Sequence, residues 1–161
     1  MATNYWIFKV TDEVGGLYGR RGFSIFEHRA KECFWGLREQ DSKGKSQPYL
    51  DALKKDDAVI FYLVGKGGSR FVGTAILDSD YQQLPDELRE KVIHSEYLDY
   101  GKGVFLKGVK KWDKPLPIEG LSGKESVVAS GVKLTAYFQG SIKKIKKKEY
   151  ELIFREHEFV I

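Results

Sequence analysis

Seven consecutive apolar residues, Ala58 to Val64, constrain this chain more than any other feature. No face of such a run is polar, so as a strand it must be buried on both sides, which requires a covering layer on each face of its sheet. Gly65-Lys66-Gly67-Gly68-Ser69 then supplies the positive φ angles of a tight turn, and Phe71 to Leu77 returns as the second strand of a hairpin. Gly73 inside the return strand marks a bulge or a close approach of neighbouring backbone. The run is the longest apolar stretch, far short of the ~20 residues that cross a bilayer, and Met1-Ala2-Thr3-Asn4 has no basic region leading into an apolar one. Membrane spanning and secretion are therefore disfavoured.

The rest of the chain supplies the covering layers. Tyr5 to Val10 is aromatic and β-branched, the composition of a first strand. A glycine-rich loop with Arg20 and Arg21 follows. Ser24, three residues before Glu27 and preceded by Phe23, has the spacing of a capping box and predicts a short helix to about Lys31. Cys33 to Leu37 is a second apolar run ending in a polar loop, and Pro48 suits the first turn of another short helix that Asp56-Asp57 closes. A helix is expected from Leu84 to about His94, a strand over Gly103 to Val109, an extended segment at Pro115 and Pro117, a last long strand over Lys133 to Phe138, and an amphipathic helix over Lys147 to Glu158. Strands and short helices mix without βα alternation, so the expected class is α+β and barrel-like. At 161 residues the chain fits one domain, residues 1–161.

The chemistry of the side chains narrows the function. His28, His94 and His157 lie in different elements and have no partner at i+3 or i+4, so no helical metal pair exists, and no metal or cofactor is expected. Gly44-Lys45-Ser46 ends like a phosphate-binding loop, but Glu39 stands where the motif needs glycine. No serine lies in a nucleophile elbow, and Cys33, beside Phe34 and Trp35, reads as a packed thiol. A single cysteine cannot form an internal disulfide and fits a reducing cytoplasm. Catalysis is not expected. A net charge of +4 leans mildly toward polyanions. The densest charge cluster, Lys143 to Lys148, is interrupted by Ile142 and Ile145 at a helix-like spacing, and reads as a solvated face or a phosphate contact. Arg20, Arg21, Arg38, Lys43, Lys45, Lys66 and Arg70 fall in three loops, and would form a phosphate-binding groove if those loops share one rim.

The order of these pieces carries a resemblance. The strand Tyr5-Trp6-Ile7-Phe8-Lys9, the run Phe34-Trp35-Gly36-Leu37 before a polar loop, and the hairpin ending in Phe71-Val72-Gly73-Thr74-Ala75 resemble the EVE family. So do Val104 to Val109 ahead of Pro115-Leu116, and Phe138-Gln139-Gly140-Ser141-Ile142 ahead of the helix bearing Glu149-Tyr150. The EVE family sits with the PUA-like and YTH domains, so the resemblance implies a curved β-barrel wrapped by short helices. It also implies a non-catalytic reader of a modified base, N6-methyladenine or a methylated cytosine, flipped from DNA or RNA into an aromatic cage. By this resemblance Trp35 forms one wall, with Gly36 and Leu37 beside it and Lys9, Val10 and Thr11 at the polar end, where Thr11 replaces an asparagine common in the relatives. Tyr97 is the preferred second wall and Tyr100 the next, from a segment that also holds Tyr81. The implied partner is nucleic acid bearing the modification, together with a fused or associated motor or nuclease of a restriction system. The alternatives are an RNA-binding accessory domain of an RNA-modification enzyme and an aromatic-pocket protein for small molecules.

Overall fold

The computed structural model describes residues 3–11, 22–37, 47–64, 69–83, 85–87, 102–118 and 142–160. In chain order these form strand β1 (Tyr5–Thr11), helix α1 (Gly22–Glu32), β2 (Phe34–Gly36), helix α2 (Gln47–Ala52) and the hairpin strands β3 (Ala58–Val64) and β4 (Arg70–Leu77). Then come β5 (Gln82–Gln83), the long β6 (Lys102–Pro117), β7 (Ile142–Ile145) and helix α3 (Lys147–Glu158). The strands make one mixed sheet in the order β2-β6-β4-β3-β1-β7, with β5 also on β6. β1 and β3 run parallel, Ile7 opposite Ile60, and the other pairs are antiparallel. The sheet curls into a half-barrel with few, short helices, as the α+β expectation required.

The apolar run behaves as its composition dictates. Ala58 to Leu63 are all buried, and alternation sends Val59, Phe61 and Leu63 into one core and Ile60 and Tyr62 into another. β1 divides in the same way, with Trp6, Phe8 and Val10 on the first face and Ile7 on the second. The first core is covered by Phe26 of α1, by Trp35 and Leu37, and by Leu50 and Leu53 at α2. The second is covered by Leu152 and Ile153 of α3 and by Ile118.

Three register slips let the sheet curl, one of them where β6 runs from Lys111 to Leu116 against only Gly73 to Phe71 of β4. In β4 the register slips where Phe61 faces Gly73 and Tyr62 faces Phe71, so Phe71 joins the second core while Val72, Ala75 and Leu77 join the first. Gly73 meets both reasons for a glycine there, since a Cβ at this position would drive into the carbonyl oxygen of Lys110. In β6 a further slip falls between the pairs Ile76–Lys107 and Thr74–Lys110, and Gly108, at φ 58°, takes up the extra residue. Val104 and Leu106 ahead of it feed the first core, whereas Trp112 and Leu116 beyond it pack on the second.

Four local expectations change. α1 begins at Gly22, so Ser24 and Glu27 both lie inside the helix rather than bracketing its start. β6 does not stop at Val109 but continues through Pro117, its extended backbone accommodating both prolines. Ile142 and Ile145 are not on a helix. They are the buried ends of β7, and because positions i and i+3 of a strand point to opposite faces, Ile142 enters the first core and Ile145 the second. Cys33 is exposed, not packed: it turns the chain out of α1 at φ 56°, and its Sγ donates to the Ala30 carbonyl at 3.6 Å. The strand expected over Lys133 to Phe138, and the helix to His94 beyond Glu87, lie outside the described residues.

Candidate functional site

β2 holds Trp35 against the sheet by an unusually close pairing. Trp35 faces Val104 and Gly36 faces Gly103, and a Cβ on Gly103 would strike the carbonyl oxygen of Trp35. The indole is thereby pressed into the first core, where it is 1% exposed. Phe61 stacks on it at 4.9 Å and 27°, Phe8 tilts against it at 5.8 Å, and the guanidinium of Arg29 lies 4.4 Å from the ring centroid. Arg29 is itself buried on α1, three residues after the buried Phe26, so one helical stripe delivers both to the core. The indole therefore does not stand open as the wall of an empty pocket. Its surroundings are occupied by aromatic side chains and a cation.

The expected pocket residues divide between the faces of the sheet. Val10, Trp35 and Leu37 share the first core, and Gly36 is buried beside them. Lys9, between Phe8 and Val10 on β1, alternates to the opposite face and is half-buried there, where loss of water holds its ammonium below the usual lysine range. Thr11 ends β1 opposite Val64. The Tyr81 hydroxyl donates to the Leu37 carbonyl at 3.0 Å, and the Leu37 N–H donates to the Lys102 carbonyl at 3.0 Å, so a tyrosine does close over the end of β2. Tyr97 and Tyr100 lie outside the described residues, as do Arg20, Arg21, Arg38, Lys43, Lys45 and Lys66. Arg70, the first residue of β4, is half-buried opposite Pro117.

Beneath the first core a buried acid fixes the start of the chain. The Asp57 carboxylate accepts hydrogen bonds from the Trp6 Nε1–H at 3.0 Å, from the Asn4 N–H at 3.1 Å and from the Lys54 N–H at 3.0 Å. Three donors on one carboxylate explain how an acid that is 3% exposed is tolerated. The arrangement is structural, and among the described residues no group of three or more His, Cys, Asp or Glu could hold a metal. Sequence reasoning missed Arg29 and Phe61 as neighbours of Trp35. The signal for Arg29 was its helical spacing from Phe26.

The EVE domain family matches residues 4–156 of the chain. No curated protein matches it significantly in sequence. Solved structures share its fold at low identity. Human THYN1 protein in complex with 5-methylcytosine-containing DNA superposes with a TM-score of 0.63 at 18% identity, covering 97% of this chain and 98% of that one. The YTH domain of the Zygosaccharomyces rouxii MRB1 protein, in complex with N6-methyladenosine RNA, gives 0.62 at 12%, covering 99% and 89%. The N-terminal domain of Staphylothermus marinus McrB gives 0.55 at 13%, covering 94% and 93%. Among the described residues no helix is long and apolar enough to cross a membrane.

Proposed function

The chain belongs to the EVE domain family, and from that premise we propose that it reads a modified base in nucleic acid and performs no reaction on it. The observation that carries this reading is the likeness, over nearly the whole chain, to two structures solved with a methylated nucleic acid. The base enters an aromatic seat formed around Trp35, with Val10, Gly36 and Leu37 behind it, Thr11 toward the polar end, and Tyr97 or Tyr100 as the facing wall; Lys9, on the other face of β1, is left out of the seat. Arg29 occupies the indole in the free protein, so the incoming base displaces a cation–π contact worth about 0.5–2 kcal/mol. Leaving the stack costs the base a few kcal/mol, and stacking on aromatic walls returns ~1–3 kcal/mol per base. A buried methyl adds about 0.8 kcal/mol, which is where discrimination comes from.

Arg20, Arg21, Arg38, Lys43, Lys45, Lys66 and Arg70 supply phosphate contacts that position the strand without telling bases apart. A fused or associated motor or nuclease fits the likeness to an N-terminal domain, which by its name is one part of a longer chain. The deciding experiment compares binding to oligonucleotides identical except for one 5-methylcytosine or one N6-methyladenine, each as duplex and as single strand. One modified ligand is expected to bind several-fold tighter than its unmodified twin. Equal affinities across all pairs would refute the reading.

A further inference from the structure

On the face of the sheet opposite Trp35, five rings run in file. Tyr5 meets Tyr150 at 5.0 Å, Tyr150 meets Phe154 at 6.3 Å, Phe154 meets Trp112 at 6.1 Å, and the His157 imidazole stacks on Trp112 at 3.7 Å and 10°. The file is written in the sequence, because residues 150, 154 and 157 form one stripe of α3 and β1 and β6 bring Tyr5 and Trp112 to it. Every ring is half-buried, so each keeps part of its surface toward water. Leu152 and Ile153 anchor the helix to the sheet, and Tyr5, Trp112 and Tyr150 pack against that core while each stays only partly buried.

Lysines border the file at both ends. A groove of about 650 Å³ beside Trp112, Phe154 and His157 is lined by Lys110 and Lys114, neither of which has an ion-pair partner among the described residues. Lys111 also borders it but reaches Glu27 at 3.5 Å, and Asp113 and Glu158 do not outweigh the three lysines. A second groove, of about 640 Å³, opens beside Tyr5 and is lined by Lys144, Lys146 and Lys147. Stacking surfaces set between cationic ends are the pattern that holds single-stranded nucleic acid, where any base can stack and phosphates track the lysines.

We propose that this face is a second nucleic-acid contact, a track for single strands indifferent to sequence and to modification. It rests on the reading above only for the class of partner, since none of its residues belongs to the base-reading seat. Among the described residues His157 Nδ1 is buried without a hydrogen-bond partner, which favours the neutral tautomer protonated at Nε2.

The probe is a fluorescein-labelled oligothymidylate of about 20 nucleotides, longer than the ~4–16 that such sites cover. It should bind the full chain, and Lys110→Ala with Lys114→Ala should weaken it about five-fold per lost phosphate at ~0.1 M salt and flatten the salt slope by ~0.7 for each. Trp6 and Trp35 are buried, so quenching of indole emission by the strand reports Trp112 and should vanish in Trp112→Phe. An oligothymidylate that does not bind, a salt slope unchanged by the lysine pair, or quenching that survives in Trp112→Phe would each overturn the proposal. The comparison of modified with unmodified duplexes is read separately. A chain that prefers the modified duplex yet ignores oligothymidylate keeps the reader and loses the track, and the reverse result keeps the track and loses the reader.

Discussion

The two faces of the sheet use aromatic residues in opposite ways. On the Trp35 face the rings are sealed: Trp6, Phe8, Phe26, Trp35 and Phe61 are fully buried, and a guanidinium lies over the indole. On the Trp112 face Tyr62 and Phe71 are likewise sealed in the core, but the five rings along α3 are half-open and the lysines around them are solvated. The sealed face gains stability from enclosure, and admitting a ligand there requires something to move. The open face gives up part of that stability and needs no rearrangement to be touched. A static view of aromatic content would rank both faces alike; burial separates an enclosed set of rings from a standing surface.

The largest test of this contrast is truncation of the two tryptophans. Trp35→Ala should cost ~3–5 kcal/mol of stability in a denaturant titration, as a cavity opens among Phe8, Phe61 and Arg29. Trp112→Ala, at a half-buried position, should cost clearly less, about 1–2 kcal/mol. Equal losses would erase the distinction between the faces. Because the alanine variant at Trp35 threatens the fold, Trp35→Phe is the variant for binding, and it should lower the modified-to-unmodified affinity ratio with the melting temperature only modestly changed.

Arg29→Met comes next. The unbranched side chain keeps the packing and removes the charge, so stability should fall by about 0.5–2 kcal/mol. Binding of the modified oligonucleotide should tighten, since nothing cationic has to leave the indole, and anisotropy titrations of parent and variant measure it. Weaker binding would mean that Arg29 helps hold the ligand rather than guarding its seat.

A smaller effect belongs to the start of α3. Glu149 is buried, its carboxylate accepting from the Lys146 N–H at 3.0 Å, and burial pushes its carboxyl above the usual range. Glu149→Ala should cost about 1 kcal/mol as the helix loses that cap. Glu149→Gln keeps an acceptor without the charge. A raised folded value means that the folded state holds the proton more tightly, so stability falls as pH rises through that value. Glu149→Gln should therefore melt higher than the parent at neutral pH, and the gap should close on acidification. A gap independent of pH would show that the charge is not what burial opposes.

The smallest effect is at His157, held below 6.5 by burial, with Glu158 opposing the shift and Lys110, Lys111, Asp113 and Lys114 around the same groove. Below about 6.5 the unfolded chain takes up the proton first, so stability falls as pH drops through the folded value. His157→Phe, which preserves a ring against Trp112, should flatten that part of the melting-temperature profile. An unchanged slope would place the imidazole in water rather than in the stack.

The strands that were legible are those whose pattern has a single solution. A seven-residue apolar run can only be a doubly covered strand, the stripe of α3 repeats at helical spacing, and Gly73 had to admit a neighbour. The lysine-rich stretch was misread because isoleucines three apart satisfy a helix, and equally a strand lying between two cores; only the presence of a second core decides. Trp35 illustrates a deeper limit. An aromatic next to a polar loop looks the same in sequence whether a ligand or Phe61 and Arg29 cover it, because what covers it comes from elements 26 and 6 residues away. Trp112 left a fainter trace: an indole set within Lys110-Lys111-Trp112-Asp113-Lys114 has no apolar neighbours of its own and must find them across the fold.

One glycine gives β6 something like a reading frame. Ahead of it the even-numbered Val104 and Leu106 belong to one core, and beyond it the even-numbered Trp112 and Leu116 pack on the other, because Gly108 inserts one uncounted step at a positive φ. Substitution at 108 strains only that step, and a Cβ there would meet open space. Deleting the residue is a different kind of change. It is a frameshift in three dimensions: Trp112 would be exchanged for Lys111 and Asp113 on the face beneath α3, and the seat of the whole aromatic file would go with it.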